Sequence, residues 1–98
     1  MTLVSVDSFG FYLIKLSMYQ KISETIKVTG VYKNHTFKPF KFLWHDRSLK
    51  IDQITLISDV KDGMIKKRFY SVIVGREVYR LLFNRETETW ILDELWLD

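Results

Sequence analysis

The stretch Pro39-Phe40-Lys41-Phe42-Leu43-Trp44-His45-Asp46-Arg47-Ser48-Leu49-Lys50-Ile51 decides how this chain is read. Phe40, Phe42 and Trp44 fall on one face of a period-two pattern and Lys41 and Leu43 on the other, the alternation of a half-buried strand. His45, Asp46 and Arg47 then interrupt the apolar run, and Leu49 and Ile51 resume it, which predicts a tight hairpin. On this pattern Phe40, Phe42 and Trp44 are core residues, and Lys41, Arg47 and Lys50 are left to the surface.

Upstream of the hairpin, Ile26, Val28 and Val31 carry a first strand over residues 24–32, with Gly30 marking a bend or bulge. Lys33, Asn34 and His35 form a polar turn. Pro39 cannot donate to a ladder, so it places the second strand at an edge or at a strand start. Downstream, residues 49–60 read as one long strand that changes parity: Leu49 and Ile51 share a face, then Ile54 and Leu56 take the other. A bulge near Asp52 and Gln53 keeps both pairs inward and bends the strand, as closure of a small barrel requires. Asp62-Gly63 signals a turn within the polar residues 59–67. A second hairpin follows, with strands over 69–74 and 78–83 joined at Gly75-Arg76. Asn84 to Glu88 turns again, and a last strand spans 89–97. Both of its faces are apolar, Trp90, Leu92 and Trp96 on one and Ile91, Leu95 and Leu97 on the other, so something must cover the second.

The expected fold is therefore mainly β: a small antiparallel barrel or strongly bent sheet of five to six strands, with an N-terminal apolar segment on it. Residues 1–20 read as that extension and residues 21–98 as a single β-barrel-like domain. The extension is rich in apolar residues from Phe9 to Tyr19, but Lys15 interrupts a run far shorter than the ~20 residues a membrane span needs. Asp7 and the absence of a leading positive charge argue against a secretory signal. Ser8 is placed to cap a helix with Phe9, Leu13, Leu16 and Gln20 on one face, although Phe9, Phe11 and Leu13 also alternate like a strand. The helix is the expectation. Translation starting at Met18 is an alternative.

The 98 residues include seven Phe, five Tyr and three Trp. In so small a domain these rings must supply much of the core, since each buried ring removes roughly 150–250 Å² from water. The chain has no Cys, which excludes disulfides and Cys-ligated zinc and suits a reducing cytoplasm. The formal net charge of +3 is polarised. Basic residues dominate from Lys15 to Lys50, and from Glu86 to Asp98 every charged residue is acidic. Such asymmetry can steer a partner or seat one copy against another.

Motifs for catalysis are missing. His35 and His45 stand in predicted turns without the spacing of a metal site, even with Asp46, Asp59 or Asp62 nearby. Ser48 lies near His45 but lacks a nucleophile elbow. Asp93-Glu94 and Glu86/Glu88 are either an acid/base or cation pair or, more plainly, an acidic face. The four scattered glycines build no phosphate loop. No catalytic residue, metal or cofactor is expected, and the chain reads as a non-enzymatic binding module.

Lys33, Lys38, Lys41, Arg47 and Lys50 surround the first hairpin, Lys66, Lys67 and Arg68 follow a neighbouring loop, and Tyr32, Tyr70 and Tyr79 lie among them. Small β barrels bind single strands by joining a basic groove to aromatic stacking platforms. Lys41, Arg47, Lys50, Lys67 and Arg68 are the candidate contacts to a nucleic-acid backbone or an acidic protein surface. The plainer alternative is that these cations solubilise a β surface. A second expectation is a self-associating homodimer, using the N-terminal segment and the outer face of the last strand, with no membrane partner.

The chain also resembles a small bacterial family known only as a domain of unknown function, through the pattern Pro-x-x-Phe-x-Trp-x-x-Arg at Pro39, Phe42, Trp44 and Arg47. An apolar residue follows four places on, Ile51. Phe69, Tyr70 and Val72, then Tyr79 and Leu81, then Trp90 and Leu92 continue the likeness, which spans residues 24–92. It departs at Asp46, where the family carries glycine. The resemblance implies the architecture and brings no activity, cofactor or partner.

Overall fold

The longest strand is shared by two layers. In the computed structural model, which describes residues 18–97, β1 (Met18–Lys33) pairs antiparallel with β7 (Thr89–Leu97) along its first half, from Met18 opposite Leu97 to Ile26 opposite Trp90. Along its second half, Lys27 to Lys33, it pairs with β2 (Thr36–Trp44). A short β3 (Arg47–Lys50) completes the smaller layer. β4 (Gln53–Asp62), β5 (Ile65–Val74) and β6 (Glu77–Asn84) extend the larger one beyond β7. The result is one antiparallel seven-stranded sheet, β3-β2-β1-β7-β6-β5-β4, bent along β1 so that β2 faces β5 and β6. Among the described residues no helix is long and apolar enough to cross a membrane.

The mainly antiparallel β expectation holds, with seven strands in place of five or six, and of the two expected forms, barrel or bent sheet, the sheet is open and the barrel is not formed. The two edge strands are nevertheless consecutive in sequence. Residues 49–60, expected as one bent strand, are two strands on opposite edges, joined through Ile51 and Asp52. The Ile51 amide donates to Phe40 O at 2.8 Å and the Asp52 amide to Ile73 O at 2.8 Å, so this short connection is held to both layers at once. The break falls where the bend was predicted. Met18, Tyr19 and Gln20, read above as part of the N-terminal extension, are strand residues of β1. The helix expected in the first twenty residues otherwise lies outside the described residues.

Two-residue turns make four of the hairpins, and a four-residue turn, residues 85–88, makes the β6–β7 one. Asn34 and His35 (φ 54° and 65°) and His45 and Asp46 (φ 51° and 60°) are left-handed pairs, the conformation that matches the twist of antiparallel strands. Asp46 therefore meets, at some cost, the demand that a glycine would meet freely, and Asp tolerates this region better than most side chains. Gly63 and Gly75 (φ 64° and 62°) each open a turn in which the first central residue is left-handed.

Bulges decide which aromatic residues are core. Thr29 pairs with Lys41 but Gly30 with Pro39, which makes Phe40 an extra residue on β2. Phe42 is buried and Trp44 is partly buried against the core, whereas Phe40 is turned outward and 44% exposed. The expectation for Phe40 is thus corrected. Gly30 permits this crossing: a Cβ there would overlap the Lys38 carbonyl and stand 2.7 Å from Pro39 Cα. Pro39 lies beyond the reach of β3, whose pairing starts at Lys41, so it stands where β2 has a neighbour on the β1 side alone, the edge position a proline favours. Thr55 is extra on β4, which directs Ile54 and Ile57 inward and leaves Leu56 exposed, against expectation. Asp93 is extra on β7, and beyond it Leu95 joins the core while Trp96 goes to the outer face beside Tyr19.

The core between the layers consists of Ile26, Phe42, Ile51, Tyr70, Val72, Tyr79, Leu81 and Leu92. Phe42 meets Tyr79 edge to face at 5.2 Å, and Trp44 meets it at 6.1 Å, an arrangement in which ring edges face the electron-rich ring surfaces. Burial pushes the Tyr79 hydroxyl far above the ordinary phenol value, and its hydrogen bond to Glu77 acts in the same direction.

Candidate functional site

Where β1 leaves β7 for β2, the layers part. β7 pairs with β1 only as far as Trp90 opposite Ile26, and beyond that point a cleft of about 570 Å³ opens between the second half of β1, the start of β2, and the ends of β5, β6 and β7. Its floor is aromatic. Trp90 stands 4.8 Å from Phe83, 5.3 Å from Tyr70 and 5.7 Å from Phe37, centroid to centroid. The Tyr70 hydroxyl donates to Phe37 O at 2.8 Å, tying the layers together and satisfying a polar atom at the base. Tyr32 forms part of the wall, edge-on to Phe37 at 5.3 Å, and is 80% exposed.

The charged lining residues are Arg68, Arg85 and Glu88, with the His35 ring beside them. Arg68 projects from β5 and grips Asp59 of β4 through two donors, Nε at 2.6 Å and Nη2 at 3.1 Å. This fork geometry is the strong form of a charge-assisted pair. The Arg68 guanidinium holds the Asp59 carboxyl below its ordinary value, and the carboxylate in turn makes the guanidinium harder to deprotonate. Arg85, at the start of the β6–β7 turn, is positioned by its amide, which donates to Lys66 O at 2.9 Å. It makes no ion pair among the described residues. Arg85 also lines a second, shallower hollow with Asp59, Val60, Lys61, Lys66 and Lys67. The aromatic cleft and a strip of cations therefore meet at this one side chain.

The five predicted contacts do not converge. Arg68 lines the cleft, and Lys67, one residue away, lines the adjoining hollow and pairs with Asp62 at 3.2 Å. Lys41 and Lys50 are direct cross-strand partners on the smaller layer, both exposed. Arg47 is opposite Trp44, toward Tyr79 at the far end of the core. Sequence reasoning missed Arg85, Lys61 and the contribution of His35. Their signal is a register, β4 against β5 against the β6–β7 turn, which period-two alternation within one strand does not carry.

The acidic pair has a structural role in place of the exposed acidic face that was expected. Asp93 is buried and bonds Lys21 Nζ at 2.6 Å, while Glu94 accepts from the Tyr19 hydroxyl at 3.0 Å and stands 3.6 Å from Arg80. These contacts satisfy the bulge where β1, β7 and β6 meet. Among the described residues no group of three His, Asp or Glu side chains could hold a metal ion. What the cleft offers chemically is ring faces for stacking, cations for phosphate or carboxylate, and one carboxylate acceptor.

The chain matches no protein-family model, no curated protein and no solved structure.

Proposed function

We propose that this protein is a non-enzymatic β binding module whose ligand is the backbone of a single-stranded nucleic acid, held along Lys61, Lys66 and Arg85 at the cleft mouth. The carrying observation is that Arg85 lines both the aromatic cleft and the basic hollow. Cations beside ring faces form the working combination of single-strand binders, in which charge supplies affinity and flat rings tolerate sequence. Arg68 and Lys67 contribute less, because Asp59 and Asp62 already neutralise them. Lys41, Arg47 and Lys50 form a separate basic area. A cytoplasmic place fits a chain without cysteine.

The experiment is a fluorescence titration with a labelled single strand across a salt series starting near 50 mM. Binding should weaken as salt rises, and Arg85→Ser should flatten the slope by about 0.7 for the phosphate it neutralises. No binding at low salt overturns the reading, as does an equal loss from Lys41→Ser/Lys50→Ser. An acidic peptide that competes at equal charge would transfer the surface to a protein partner.

A second reading, self-association, is favoured by the outer face of the larger layer, where exposed Tyr19 and Leu56 flank half-buried Phe69, Leu82, Ile91 and Trp96. A single monomeric species in sedimentation at high concentration would remove it.

A further inference from the structure

We propose that the cleft is a base pocket: one base of the bound strand enters between the layers, stacks on Tyr32 and Trp90, and leaves its phosphate on Arg85. This deepens the reading above and rests on it for the phosphate contact alone. Four observations support the ring.

The space is the right kind. A volume of about 570 Å³ lies within the range of roughly 300–1,000 Å³ found for small-molecule sites. The Tyr70 hydroxyl at its base is already bonded to Phe37 O, so the rings below offer stacking surface, while Arg68, Arg85, His35 and Glu88 make most of the open surface polar, as the edge of a base requires.

Tyr32 is placed as a platform. It is the most exposed aromatic residue described, at 80%, yet its position is set by an edge contact with Phe37 at 5.3 Å. A T-shaped contact covers at most one ring face, and at 80% exposure the other face of Tyr32 is open. A ring already fixed by the backbone of β1 and by Phe37 loses little rotamer freedom when a base lies on it.

Charge divides the pocket. Glu88 is the one carboxylate on the cleft lining and opposes a phosphate, while Arg85 also lines the adjoining hollow, where Lys61, Lys66 and Lys67 outnumber a single carboxylate, Asp59, that is already paired with Arg68. A phosphate on the Arg85 side and a neutral ring inside satisfy both. A ligand with its negative charge inside the cleft would meet Glu88 and an Arg68 already committed to Asp59.

The rings are also more than the core requires. The fully buried rings are Phe42, Tyr70 and Tyr79, with Trp44 and Trp90 packed against the cluster. Tyr32, Phe37, Phe83 and Trp90 continue it into the opening, where aromatic rings are only partly removed from water.

The test compares two probes with equal numbers of phosphates, a single-stranded oligonucleotide and the matching abasic strand, on the full chain at low salt. Stacking contributes enough per base that the base-bearing strand should bind about tenfold tighter or more. It should quench tryptophan emission in the native protein but not in Trp90→Phe. Tyr32→Ala should remove most of the advantage and leave the abasic affinity unchanged, and Tyr32→Phe should retain it. Because Tyr32 is so exposed, its truncation leaves the fold intact, which circular dichroism verifies. Equal affinity for the two strands, with the salt slope intact, overturns the base pocket and leaves the backbone reading standing. Failure of both strands to bind overturns both.

Discussion

The space between the two layers has two ends built from the same kinds of side chain, and they behave oppositely. At one end Phe42, Tyr79 and Trp44 close on each other, with Phe42 and Tyr79 each 1% exposed. At the other, Phe37, Phe83 and Trp90 are equally aromatic but only partly buried, and they surround a cleft over the buried Tyr70. Composition does not distinguish them. The difference is backbone: at the closed end the β2–β3 hairpin lies over β6, and at the open end β1 has already parted from β7. Aromatic rings fill a space when strands bring it to the width of two side chains, and line it when strands do not.

The largest expected effect lies at the closed end. Phe42→Ala should cost about 3–5 kcal/mol in urea unfolding, because no side chain can collapse into the gap between the layers. Between the ends, Gly30→Ala should cost about 1–3 kcal/mol, since the new methyl meets backbone atoms of Lys38 and Pro39, which cannot swing away. At the open end, Asp59→Asn should cost ~1 kcal/mol or less near neutral pH, the Asp59 side chain being 57% exposed and its pair with Arg68 screened. Its pH signature is more specific. The Asp59 carboxyl is held below its ordinary value of 3.8, so its contribution is complete above that pH and lost as pH falls through the lowered value. Acid unfolding of Asp59→Asn should be correspondingly flatter below pH 3.8. Smallest is Tyr32→Ala, within ~0.5 kcal/mol of the native protein. If Tyr32→Ala were to destabilise as Phe42→Ala does, the two ends would not differ and the open one would be core.

Much of this was legible locally. The alternation around Phe42, the turn residues at Asn34, Gly63 and Gly75, and the break near Asp52 all follow from side-chain period and backbone freedom. The errors have one cause. Counting twos gives Phe40, Leu56 and Trp96 the wrong face, because Phe40 is itself the extra residue of a bulge and Leu56 and Trp96 follow one that reverses the count. A bulge is a relation between two strands and leaves little trace in either one. The candidate site was less legible for the same reason. Arg68 was found because it sits in a run of cations, whereas Arg85 and His35 become partners of the cleft only once three separated turns are brought to one end.

The shared strand also has a consequence for how the chain folds. β1–β2–β3 and β4–β5–β6–β7 are each a meander of neighbouring hairpins, and such local pairings form with little loop entropy to overcome. The β1–β7 ladder is different: Lys21 and Asp93, which clasp across it, are 72 residues apart. Closing so long a loop rewards nothing until both meanders exist. The slow step should therefore be their meeting, and the mouth bordered by Trp90 should be the last region to acquire its shape and the first to lose hydrogen-exchange protection.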